Sequence, residues 1–103
     1  MHALTLDLTP KQLAIVKQIL QKYVPQHDVW AFGSRVKNTA KPYSDLDLAV
    51  ITDHPLSLTV QAKLAEAFTE SDLPFRVDIV DWATTSDSFR RIIQNAYCVI
   101  TGA

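Results

Sequence analysis

The run Ser44-Asp45-Leu46-Asp47-Leu48-Ala49-Val50-Ile51 constrains this chain more than any other stretch. Its aliphatic residues are those of a buried β-strand, yet two carboxylates sit in its first half. Side chains alternate faces along a strand, so Asp45, Asp47, Ala49 and Ile51 share one face while Leu46, Leu48 and Val50 share the other. A carboxylate carried into a core is costly unless a positive group meets it. The fold must therefore bring both acids to one end of a sheet and leave room there for a counter-charge. Oxygen-only ligands suit Mg²⁺ or Mn²⁺ better than Zn²⁺, and no His or Cys lies close in sequence. A lone Asp would by default cap a turn or face solvent at a sheet edge.

The rest of the chain supplies the frame for that strand. Thr9-Pro10-Lys11-Gln12 has the composition of a capping box with proline at the first helical position. Leu13, Val16, Leu20, Tyr23 and Val24 then recur at helical spacing until Pro25. Val29 to Phe32 reads as a strand ending at Gly33, and Arg35 to Ser44 as a polar connection. A second helix is expected from Leu58 to about Glu70, a third strand from Phe75 to Asp81, and a third helix after the capping residues Thr84 to Ser88, marked by Phe89, Ile92, Ile93 and Ala96. Tyr97 to Thr101 is either a last short strand or the frayed end of that helix. The alternation predicts an α/β (α+β) class: a small mixed β-sheet with helices packed mainly on one face.

The chain has 103 residues, enough for a single domain over 1–103 with one modest core. Its net charge of −1 argues against a broad nucleic-acid-binding surface. Cys98 is the only cysteine, which excludes an internal disulfide and fits a reducing compartment. No apolar run reaches the roughly 20 residues of a membrane span, and the expected location is cytoplasmic. His2, His27 and His54 lack metal-ligand spacing.

Gly33-Ser34 adds a second half to the constellation. A glycine directly after a strand permits close backbone approach, and a serine there opens a turn whose free N–H groups suit phosphate. Together, Gly33-Ser34 and Ser44-Asp45-Leu46-Asp47-Leu48 resemble the signature of the DNA polymerase β-like nucleotidyltransferases, and in particular its minimal nucleotidyltransferase (MNT) branch. There the pattern commonly reads Gly-Ser-Arg-Ala-Arg-Gly, a variable stretch, then Ser-Asp-Ile-Asp-Leu. Arg35 and Lys37 keep its basic positions, while Asn38 stands where glycine is usual; asparagine tolerates positive φ better than most residues. The segment Arg76 to Trp82 resembles the strand that carries the family's third carboxylate, which would be Asp78.

The resemblance implies a polymerase β-like core in which Asp45, Asp47 and Asp78 are catalytic and hold metal, expected as two Mg²⁺ ions with Mn²⁺ as the alternative. Gly33, Ser34, Arg35 and Lys37 would bind the nucleotide, with ATP as substrate. The implied partner is a helical HEPN protein, the implied acceptor one of its tyrosines, and the implied role that of an antitoxin adenylyltransferase. Two alternatives stand beside it: a non-catalytic nucleotide-binding antitoxin that neutralises by contact, and a small-molecule modifier of the antibiotic nucleotidyltransferase type. Alternation puts Asp81 on the face opposite Asp78, outside the set. Arg76, on the Asp78 face, is expected in an ion pair. Trp30 and Trp82 are expected in the core or an interface.

Overall fold

A computed structural model describes residues 6–101 of the chain; His2 lies outside them. The elements run α1 (Pro10–Tyr23), β1 (Asp28–Phe32), a 3₁₀ turn (Gly33–Val36), β2 (Leu46–Ile51), α2 (Leu58–Thr69), β3 (Val77–Asp81), a second 3₁₀ turn (Trp82–Thr84), α3 (Asp87–Asn95) and β4 (Tyr97–Thr101). Thr9 and Gln12 form the expected reciprocal capping box at the start of α1. Ser57 and Ser86 cap α2 and α3 through their hydroxyls. The terminal segment, left open between strand and helix, is a strand.

The four strands form a mixed sheet in the order β3-β2-β1-β4. β1 is antiparallel to both β2 and β4, and β2 runs parallel to β3 through the α2 crossover. β2 is thus central and read on both faces. Leu46, Leu48 and Val50 are fully buried with Val16, Leu20, Leu64 and Phe68, so α1 and α2 cover that face. The other face holds a smaller cluster of Phe32, Ala49 and Ile93, with Trp30, Val80, Trp82, Phe89 and Tyr97 around it. α3 covers this second face only in part. Ile93 is buried, whereas Ile92, grouped with it by sequence period, is 56% exposed.

Candidate active site

The site forms at the end of the sheet where β1 finishes and β2 and β3 begin. Phe32 is the register partner of Asp47, and Asp47 of Asp78, so the end of β1 and both carboxylates lie side by side across three strands. Asp45 sits one residue before β2, as an entrance residue rather than a strand member. All of this occurs on the face that α3 half covers.

Gly33 adopts φ +81°, a conformation that L-residues rarely take. A Cβ at this position would also collide with the Asp47 carboxylate. Glycine is therefore required both for the turn and for the close approach of Asp47. The 3₁₀ turn follows at once, and the Ser34 carbonyl accepts from the backbone N–H groups of Lys37 and Thr39 at 3.2 Å each. Asn38 has φ +57°, so it fills the left-handed position at which the related pattern has glycine.

Asp47 has its pKa raised, first by burial and then by the nearby negative charges of Asp78 and Asp45. The charges of Asp78 and Asp45 thus add to burial in opposing the ionisation of Asp47, an environment that a bound cation would relieve. Arg76 supplies the positive charge: its Nη2 lies 3.3 Å from Asp45 Oδ2 and 3.6 Å from Asp78 Oδ1. Its side chain is 76% exposed, which makes this a weak and displaceable pair. With these side-chain orientations, no group of three or more acid, His or Cys side chains among the described residues is arranged as a ready metal cage. The donor chemistry and the backbone register nonetheless fit a hard divalent cation, which would take the place of the Arg76 guanidinium.

Lys37 is exposed and lines a cavity of about 430 Å³ together with Gly33, Asp47 and Asp78. The remaining wall is apolar, from Phe32, Val80, Phe89, Ile92 and Ala96. Sequence period read Phe89 and Ile92 only as helix markers. The exposure of Ile92 beside the carboxylates is a tertiary fact with no local signal.

Arg35 departs from the expected phosphate contact. It is 4% exposed, and its guanidinium donates to the carbonyls of Asp7, Lys41, Pro42 and Ser44 while stacking 4.0 Å from the Phe75 ring centroid. Those partners lie before α1, in the loop entering β2, and just before β3. Arg35 therefore ties together the segments that deliver Asp45 and Asp47, and its donors are engaged there. The ligand contact was what the family resemblance implied; in the fold Arg35 stands between half-buried Ser34 and buried Val36.

Asp81 lies outside the acidic set, as alternation required. It accepts from the Thr52 hydroxyl at 2.5 Å and from the Leu56 N–H at 2.7 Å, pinning the exit of β2 to the end of β3. Trp30 stacks on Tyr97 at 4.1 Å and meets Trp82 edge-on at 5.3 Å, a packing cluster. Among the described residues no helix is long and apolar enough to cross a membrane.

Comparison with known proteins places the sequence and the fold in a family. Residues 15–102 match the family described as Polymerase beta, Nucleotidyltransferase. A curated relative, the probable protein adenylyltransferase MntA of Haemophilus influenzae, is 61% identical over 95 residues, spanning 92% of this chain and 83% of that protein. The fold is shared with a toxin–antitoxin crystal structure containing AMP-PNP, at TM-score 0.74 and 24% identity over 88% of this chain and 73% of that one. It is shared also with the MNT antitoxin complexed to a tri-AMPylated HEPN toxin of Shewanella oneidensis, at TM-score 0.66 and 22% identity, covering 88% of this chain and 70% of that one. On its sequence and its fold, this chain belongs to the polymerase beta nucleotidyltransferase family, in its minimal, MntA-like branch.

Proposed function

We propose that this protein is an antitoxin adenylyltransferase that moves AMP from ATP to a tyrosine hydroxyl of a HEPN-type partner and releases pyrophosphate. The observation that carries this reading is the meeting of Gly33, Asp47 and Asp78 in one cavity at one sheet end, with Asp45 at the entrance of β2 and joined to Asp78 through Arg76. The identity to a named protein adenylyltransferase supports the reaction class and the protein acceptor.

The Gly33 and Ser34 N–H groups and the Ser34 hydroxyl hold the β- and γ-phosphates, and Lys37 offsets their charge from the rim. Phe89 and Ile92 offer the nucleoside an apolar wall. Asp45, Asp47 and Asp78 would hold divalent cations, with Mg²⁺ the expected ion, and such ions would supply charge stabilisation at the attacking and leaving oxygens. Asp78, the outermost carboxylate, accepts the proton of the incoming hydroxyl. Arg76 keeps the acids in register when nothing else neutralises them.

Intact-mass measurement of a HEPN-type partner protein, after incubation with this protein, ATP and Mg²⁺, tests the reading. A gain equal to one or more AMP groups, absent with Asp47→Asn, is expected. Neutralisation of the partner by both proteins with no mass change would replace it with neutralisation by contact.

A further inference from the structure

We propose that the acceptor reaches the site over the open edge of β3, in a cleft that receives an extended, hydroxyl-bearing segment of the partner polypeptide. This deepens the transferase reading above and rests on it. The argument starts from the order of groups across the sheet end. Gly33 follows β1, Asp47 stands on β2 and Asp78 on β3, and no strand lies beyond β3 among the described residues. In an in-line displacement the attacking and leaving oxygens occupy opposite sides of the α-phosphorus. With the leaving pyrophosphate on the Gly33-Ser34 turn, the attacking oxygen must arrive from the Asp78 side. That side is the edge of β3.

The edge is already shaped as a channel. A cleft of about 670 Å³ runs along Val77 to Asp81 between α2, which contributes Gln61 and Ala65, and the segment carrying Thr84 and Thr85. A further hollow of about 370 Å³ shares Ala65, Val77 and Asp78 with it and continues toward Phe75. The cleft also shares Asp78, Val80 and Phe89 with the nucleotide cavity, so the two spaces meet at the outermost carboxylate.

Among the described residues β3 pairs only with β2, so its other edge, along which the cleft runs, has no strand beside it. Such an edge is a template for an extended chain, and five residues give it a run of roughly 17 Å. The opposite edge, β4, also exposes an apolar residue, Val99. It is separated from Asp78 by β1 and β2 and cannot present a hydroxyl to the reacting phosphorus.

In the transfer, the hydroxyl oxygen forms a bond to the α-phosphorus as the bond from that phosphorus to the bridging oxygen breaks. Pyrophosphate leaves with the electron pair, and the hydroxyl proton passes to the Asp78 carboxylate and on to water.

Ala65 is exposed on α2 and lines both hollows, so Ala65→Arg fills the channel without entering the core. The test measures AMP transfer to a HEPN-type partner protein alongside calorimetric ATP affinity in Mg²⁺. For Ala65→Arg, transfer falls at least about tenfold with unchanged ATP affinity, whereas Val99→Arg on β4 transfers as the wild type does. Normal transfer by Ala65→Arg, or a loss confined to Val99→Arg, overturns the channel and leaves the transferase reading standing. A wild type that binds ATP and transfers nothing overturns the transferase reading and the channel with it.

Discussion

At the residue scale, Asp47 carries an electrostatic cost that sets its pH behaviour. Its raised pKa means that the native state resists ionising it. Below the ordinary value of 3.8 the acid is neutral in both states and costs nothing. As pH rises from there through the raised native value, the unfolded chain ionises first, so native stability is lost across that window and stays lost above it. Asp47→Asn is therefore expected to raise the melting temperature of the metal-free protein at neutral pH while abolishing AMP transfer, read by thermal melts in chelator beside the mass assay. Divalent-cation affinity, measured by calorimetry, should fall as pH drops into the same window, because proton and cation compete for one carboxylate. Gly33 has the opposite character: Gly33→Val meets both a positive φ and the Asp47 carboxylate, and the variant should melt at a lower temperature besides losing ATP binding. Ser34→Ala removes one hydroxyl and should weaken ATP binding by about 1.5 to 3 kcal/mol, the range for a hydrogen bond to a charged group. The need for glycine at position 33 was legible in the sequence as a strand-ending Gly-Ser. The collision with Asp47 was not, because it joins residues on two strands.

At the element scale, the pieces most legible in the sequence are those with local chemistry. The Thr9–Gln12 capping box, the alternation along β2 and the left-handed Asn38 each follow from side chains within a few residues. The fate of Tyr97 to Thr101 depended on whether β1 had a free edge, a long-range matter, and the segment completes the sheet beside β1. Arg35 was misread for the same kind of reason. Nothing in the local pattern shows that the Asp7 carbonyl, from before α1, and three carbonyls of the loop entering β2 converge on it. Its role as a tie between elements makes a stability prediction. Arg35→Lys replaces a planar fork by a point charge that cannot span those carbonyls, and burial then leaves several of them unsatisfied. The loss should be at least the roughly 1.5 to 3 kcal/mol of one charged hydrogen bond, measured by urea unfolding. If Arg35 instead contacted phosphate, its replacement would weaken ATP binding and leave unfolding unchanged.

At the scale of the whole molecule, one central strand serves two faces, and this ties folding to ligand binding. The aliphatic half of β2 anchors the larger core under α1 and α2, while Asp47 on its other side stands in the cavity. On the proposed transferase reading the ATP and Mg²⁺ site exists only where β1, β2 and β3 are assembled, so binding should stabilise the entire domain rather than one loop. At a free ligand concentration of about 100 times Kd, the gain is about 2.7 kcal/mol. For a domain of this size, each kcal/mol moves the melting temperature by roughly 4 to 8 °C, so a shift of roughly 11 to 22 °C is expected. ATP in chelator should give much less of that shift, since the three acids then repel the triphosphate. Asp47→Asn should start from a higher melting temperature and gain little from ATP and Mg²⁺, reversing the order of the two proteins once ligand is present. That crossing of the melting curves would separate a site built around its cation from an acidic cluster that is merely tolerated, which would show the first difference and not the second.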